Sequence, residues 1–337
     1  MHSIYEIDSN RRTPKYLQIV HSITKAIKQG HYKKGDRILS INELSNEFLL
    51  SRDTVQKAYD ILEKDRIIEA VKGKGFYINR TDIINQYRVL LVFNKLSSYK
   101  RMIYDSFIRT LGSKGNVELK IHHSNVKLFE DIIEAGLGEY DYYAIMPHFY
   151  QDKCRAFEII KQIPTDQLII MDKDLNWPAH YAAIYQDFEN DIAEAMETQL
   201  PTFNKYKELI LAHAGESYPL EIISGFKKFC FQNNFRYRVI DSISENERLE
   251  KGQVYIVIEE TDLANIIKEC RNHELVIGRD IGIVSYNDTP LKEILLDGIS
   301  VLSTDHHKMG EQAAKFILDQ KTEKIRNQFR FILRKSL

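Results

Sequence analysis

Cysteine is scarce in this chain of 337 residues: Cys154, Cys230 and Cys270 stand far apart with no paired spacing. That excludes a disulfide framework and a zinc cluster, and the three read as core or surface thiols. Long apolar runs are missing too, since the longest are strand-sized, and no basic-apolar-small leader opens the chain. A soluble cytoplasmic protein with no membrane partner is expected. The sequence has no Gly-x-Ser-x-Gly elbow, no Gly-x-x-x-x-Gly-Lys-Ser/Thr phosphate loop and no His-Glu-x-x-His zinc site, so neither an enzyme nor a bound cofactor is expected. His122-His123 and His306-His307 are adjacent rather than helically spaced, which reads as structural rather than metal-binding.

What is present is an uneven charge distribution. Residues 1–80 carry 15 Lys and Arg against 10 Asp and Glu, while the remainder carries 32 against 38, for a net charge of −1. An excess of five is also what an ordinary solvated surface shows, so the local pattern must decide. Thr13-Pro14 joins a capping residue to one suited to the first helical position, and Tyr16, Ile19, Val20, Ile23 and Ile27 then form an apolar face up to Gly30. Ser40 and Glu43 make a capping box for a second helix with Leu44 and Phe48 inward. Ser51 caps a third, lined inside by Val55, Ala58, Tyr59 and Leu62. Arg52, Thr54, Gln56 and Lys57 are left on its outer face and N-terminal end, the part that reaches base edges in a major groove. Residues 67–71 and 76–78 read as strands joined by Lys72-Gly73-Lys74-Gly75, where glycines allow the turn and lysines face phosphates. Together these predict a DNA-binding helix-turn-helix with a wing.

The run Pro14-x-Tyr16-x-Gln18-Ile19, Gly35-Asp36, Ser40, Glu43-Leu44, Ser51-Arg52-x-Thr54-Val55, Ala58, Leu62-Glu63 and Gly73-x-Gly75 resembles the winged helix-turn-helix of the GntR family of bacterial transcription regulators, over nearly all of residues 10–78. The resemblance implies DNA contacts from Ser40, Asn42, Ser51, Arg52, Thr54, Gln56, Lys57, Lys72, Gly73, Lys74 and Gly75. The chain departs from the family at Leu39, usually Pro, and at Ile41-Asn42, usually Glu-Arg. Leu49 and Arg66 stand where the family has Gly, and a leucine where φ > 0 is favoured carries strain.

Residues 81–87 read as a linker between this domain, residues 1–80, and a second domain, residues 88–337. There, strand-like runs at 88–93, 117–122, 142–146 and 168–171 alternate with helical stretches, and a second set follows from residue 182. This predicts an α/β fold with parallel sheets covered by helices and ligands at the strand carboxyl ends. Ile163-Pro164 leading to Asp172, Tyr185-Gln186-Asp187, Ser224-Gly225-Phe226, the segment 280–289, the segment 299–304 and Met309-Gly310-Glu311-Gln312-Ala313-Ala314 resemble the two-lobed, periplasmic-binding-protein-like sensor of the LacI family. GntR readers fused to such sensors look like arabinose-type repressors. The resemblance implies a homodimeric repressor of a sugar-utilisation operon, bound to a palindromic operator and controlled by a pentose or deoxyhexose in the interlobe cleft. Asp187, Glu260 and Asn287 fall at the family's ligand-facing positions, with Asp288 beside them. His148 and Trp177 follow strands and are candidates to face the cleft. An Asp at a strand end is as often a helix cap as a ligand group, and a lone Trp is more often a lid on the core. The arginine the family keeps three residues before Gly-Phe is Ile222 here. The alternative is a carbohydrate-binding or carbohydrate-modifying α/β protein whose winged helix mediates protein contacts.

Overall fold

Helix α1 (Lys15–Lys28) starts one residue later than expected, because Pro14 occupies the cap in extended backbone and no side chain caps the helix. Thr13 contributes only its carbonyl, which accepts from the Gln18 amide at 2.7 Å. The end is as read: Gly30 has φ +76°, its N–H donates to Ile27 and that of His31 to Ala26, the glycine-terminated closure that satisfies two last-turn carbonyls. The computed structural model describes residues 5, 7, 8, 13–81, 86–215, 218–244 and 247–337.

Helix α2 (Ile41–Glu47) has the reciprocal capping box of Ser40 and Glu43. Helix α3 (Arg52–Lys64) is capped by Ser51, whose hydroxyl accepts from the Thr54 N–H. Strands β1 (Ile68–Val71) and β2 (Gly75–Ile78) pair antiparallel with Val71 opposite Gly75, so Lys72, Gly73 and Lys74 form the tip. Ile19, Ile23, Leu44, Val55, Tyr59, Leu62 and Ile78 make one core, with Tyr16 and Val20 only partly buried against it. Between α2 and α3, Leu49 sits at φ +52° with its side chain 91% exposed. Left-handed backbone costs an L-residue roughly 1–2 kcal/mol, and glycine's chain entropy returns part of that. Leu49→Gly is therefore expected to stabilise the reader by up to about 1 kcal/mol, seen as a higher melting temperature; a lower one would mean the exposed leucine makes a contact that outweighs the strain.

The winged helix ends at Ile78, and residues 82–85 of the expected linker lie outside the described residues. The second region runs β3 (Tyr87–Phe93), α4 (Ser98–Leu111), β4 (Gly115–Ile121), α5 (Val126–Gly136), β5 (Tyr142–Ile145), α6 (Lys153–Ile160), β6 (Leu168–Asp172), β7 (Ala182–Tyr185). After it come α7 (Phe188–Glu197), α8 (Leu200–Phe203), β8 (Glu208–Ala212), α9 (Glu221–Gln232), β9 (Arg236–Ile240), β10 (Gln253–Val257), α10 (Glu260–Asn272) and β11 (Ile281–Tyr286). The chain closes with α11 (Pro290–Ile294), β12 (Ser300–Thr304), α12 (His306–Asp319), β13 (Lys324–Arg326) and β14 (Phe329–Ile332).

Two six-stranded sheets result, ordered β13-β7-β6-β5-β3-β4 and β14-β12-β11-β10-β8-β9. The pairs β5–β6, β6–β7, β8–β10 and β10–β11 are parallel, as the alternation predicts. One edge departs: β14 enters the second sheet straight from β13 in the first and lies antiparallel to β12. Gly225 and Gly310 fix helix spacing, since a Cβ would stand 2.1 Å from the Glu189 carbonyl oxygen and 2.2 Å from that of Ile103. Their absent side chains let α9 close on α7 and α12 on α4. By contacts the chain divides into two compact units, one comprising residues 1–90, 113–118 and 131–142, the other 91–112, 119–130 and 143–337. Within the first, the Tyr16 hydroxyl donates to Glu139 at 3.1 Å and His21 lies 3.4 Å from Asp141.

Candidate functional site

In the winged helix, Arg52 is the exposed first residue of α3, one position after its cap. Among the described residues its guanidinium has no acceptor to compete with a base edge, whereas Thr54 already shares a 2.7 Å hydrogen bond with the Ser51 hydroxyl and Gln56 donates to Asp60 at 2.7 Å. Lys57 lies over the Tyr16 ring, 3.8 Å from its centroid, a cation–π contact that places it toward α1. Ser40 is engaged in its cap and Asn42 is exposed on α2. Lys72 and Lys74 are exposed on the wing, whose turn needs Gly73 at φ +77° and Gly75 at φ +108°. Arg37 was not singled out from the sequence. It bridges backbone to Tyr77 of the wing and pairs with Glu43 at 3.0 Å, so one exposed cation sits between wing and α2. The Ser40 N–H and hydroxyl, and then Arg37, hold the Glu43 carboxyl below its ordinary value.

In the second unit a cavity of about 500 Å³ opens at the carboxyl ends of β3, β5, β6 and β11. Such strand ends are where open α/β sheets place ligands. Asp172, the last residue of β6, is 7% exposed at φ +74°. His148 reaches its Oδ2 at 2.7 Å and the Gln186 amide donates to its Oδ1. Burial would raise the Asp172 carboxyl, but the hydrogen bond and charge of His148, the Lys100 charge and the Gln186 hydrogen bond outweigh it and hold the group well below the usual carboxylate range. Burial lowers His148 in turn, against the hydrogen bond and charge of Asp172, which act to raise it. Lys100 is 2% exposed, donates to Asn94 Oδ1, and is pushed down to about 8 by burial. The charge of Asp172 acts against that burial and favours the cation. Among the described residues, two buried polar atoms on residues that line the cavity have no partner: Gln186 Oε1 and the Tyr286 hydroxyl. Aromatic walls come from Tyr99, Phe157, Phe188 and Tyr218.

Of the residues singled out for the effector, His148 and Asn287 line this cavity, the latter 7% exposed at φ +63°. Asp187, Glu260, Asp288 and Trp177 do not. Asp187 caps α7 by accepting from the Asn190 N–H, the helix-cap reading of a strand-end Asp. Glu260 is the first residue of α10. Asp288 holds Arg334 through two bonds of 2.8 and 2.7 Å. Trp177 stacks on Tyr181 at 5.6 Å and meets Phe157 edge-on, behind the wall rather than in it. Ile222 lines the cavity, so that stretch of wall is apolar. His122 is stacked on Phe149 at 4.5 Å and His306 packs on Tyr99 at 5.1 Å, both buried. Among the described residues no helix is long and apolar enough to cross a membrane.

Residues 15–78 match the bacterial regulatory proteins of the gntR family. The HTH-type transcriptional repressor YtrA of Bacillus subtilis is 30% identical over 131 residues, which is 39% of this chain and 95% of that protein. The chain belongs to the gntR family. Residues 209–336 of this gntR-family regulator match the periplasmic binding protein-like domain. The arabinose metabolism transcriptional repressor of Geobacillus stearothermophilus is 37% identical over 67 residues, only 20% of this chain and 18% of that protein. The trehalose repressor from Escherichia coli shares the fold, with a TM-score of 0.61 at 11% identity over 74% of this chain and 100% of that one.

Within this family frame, Asn327 is a residue the sequence did not flag. It follows β13, is 3% exposed, and its amide donates to Thr304 Oγ1 at 2.7 Å and the Asp305 carbonyl at 2.9 Å, while its N–H donates to Tyr185 at 2.7 Å. It thereby ties together three strand ends where the chain leaves one sheet for the other. Gln186 and Tyr286 lay inside segments that resemble the LacI sensor, so the signal for them was there. Lys100 had none: a lysine on a helix reads as solvated until the fold buries it.

Proposed function

We propose that this gntR-family regulator represses a sugar-utilisation operon and releases a palindromic operator when a small carbohydrate, a pentose or deoxyhexose, occupies the 500 Å³ cavity. One observation carries the reading: Gln186 Oε1 and the Tyr286 hydroxyl are buried without partners among aromatic walls. An unpaired buried polar group costs about 1–3 kcal/mol, and a ligand rich in hydroxyls removes that cost at both while its apolar faces stack on rings. The names of the arabinose and trehalose repressors among its likenesses support the same class. The carbohydrate is a signal rather than a substrate.

In this mechanism a symmetric dimer presents two winged helices to two half-sites, with Arg52 and the groups around it at the bases and Lys72 and Lys74 at phosphates. The effector alters the angle between the two sheets, and Asn327 sits at the strand ends that must bend. Operator affinity changes only by as much as the effector discriminates between the two arrangements, about 1–3 kcal/mol per coupled event. A thermal-shift screen of pentoses, deoxyhexoses and hexoses tests the reading. A cognate sugar at a hundred times its dissociation constant adds about 2.7 kcal/mol of stability and weakens operator binding in a gel shift. Equal operator affinity with and without a saturating ligand would sink it, and no specific DNA complex would favour a winged helix used for protein contacts.

A further inference from the structure

The charge inventory of the cavity bears on what its carbohydrate carries. Lys95, Lys100, Lys153 and Lys173 line it against the carboxylates of Asp172, Asp174 and Glu221. Every one of those carboxylates is already matched. Glu221 pairs with Lys173 at 2.6 Å, Asp174 pairs at 3.0 Å with Lys324 from outside the lining, and Asp172 and Lys100 influence each other's charge. Among the described residues Lys95 has no carboxylate partner, and Lys153 makes no close ion pair but adds its charge to that of Lys173 around Glu221. Lys95 instead donates to the Tyr218 hydroxyl at 3.3 Å and lies 4.8 Å from that ring's centroid. Glu259 acts on the same hydroxyl but does not line the cavity. Lys153 is the first residue of α6, whose Ala156 and Phe157 also face the cavity.

We infer that the effector is an anionic carbohydrate, a phosphorylated or carboxylated sugar, whose charge is met by Lys95 and Lys153 while its hydroxyls meet Gln186 and Tyr286. The inference rests on the carbohydrate reading above and narrows it. An ammonium serves a phosphate or carboxylate as a compact point charge, and two of them in a partly closed cavity gain most from a ligand that brings the opposite sign. Calorimetric titration of the full chain tests it with D-ribose and L-fucose as neutral probes, D-ribose 5-phosphate and L-fucose 1-phosphate, D-galacturonate, and inorganic phosphate. A charged sugar is expected to bind at least about tenfold more tightly than its neutral counterpart, a difference of about 1.4 kcal/mol. The preference should shrink as salt rises and collapse in the Lys95→Met/Lys153→Met double variant. Neither side chain is buried, so the variant's own melting temperature should match the parent's. Tight binding by the phosphates alone identifies a sugar phosphate, and by galacturonate alone a sugar acid. The inference is overturned if a neutral sugar binds as tightly as the charged ones, if the double variant keeps the preference, or if inorganic phosphate binds as well as any sugar phosphate. If no carbohydrate of either kind binds, the carbohydrate reading itself fails and this one falls with it.

Discussion

Asp172→Ala is expected to cost the sensor about 3–5 kcal/mol, the usual loss when one partner of a buried charge pair is removed and the other is stranded. Lys100, 2% exposed, would keep its bond to Asn94 but lose the anion that offsets its charge. His148 and Gln186 would each lose the acceptor they now share. Urea denaturation measures the loss, and the Asp172→Ala/Lys100→Met double variant should recover much of it because no buried charge then remains. A loss below about 1 kcal/mol, or no recovery in the double variant, would show that the pair does not organise the cavity. The pH dependence has a definite sign. Asp172 is held below its ordinary value near 4, so its contribution is fully present above that pH and is lost as pH falls toward the lowered value. In Asp172→Ala this acid-side component of the stability curve should be absent.

The second large effect lies at the other end of the chain. Arg52→Ala should cost about 1–3 kcal/mol of operator affinity and relax preference at one base position per half-site, because an arginine at the start of a recognition helix grips guanine through two parallel bonds. Lys74→Ala should weaken binding to all sequences alike and reduce the salt slope by about one, since the wing lysine displaces counterions without reading bases. Fluorescence anisotropy on operator and scrambled duplexes, each across a salt series, separates the two. Loss of affinity in the same sequence-independent way for both variants would remove Arg52 as a base reader. Arg37, tied to Glu43 and next to the wing, is expected to behave like Lys74 rather than Arg52.

Much of the reader was legible because its signals are local. The Ser40–Glu43 box, the Ser51 cap, the Gly30 stop and the glycine-turned wing each depend on residues within a few positions of one another, and each appears where it was read. Leu49 was marked as strained from one position, and its backbone is left-handed. The misplacement at Thr13 is of the same local kind: the capping residue was present, but the proline beside it took the cap. In the sensor, strand and helix periodicity located the elements, while the antiparallel β14 escaped because strand direction is set by where the chain crosses between sheets.

The cavity was legible only in part, for a physical reason. Asp187, Glu260, Asp288 and Trp177 were chosen by position along the chain, yet an Asp at a strand end has two uses, and the sequence does not separate capping a helix from facing a ligand. The residues that give the cavity its chemistry are Asp172, Lys100, Gln186 and Tyr286, which come from four separate elements or loops. Sequence by itself determined that this is a winged helix joined to an α/β sensor, since helix caps, glycine turns and apolar periods act over a few residues. Tertiary structure alone decided which charges are buried, which find partners and which two lysines are left facing an open space, because burial and pairing depend on residues brought together from 14 to 150 positions apart.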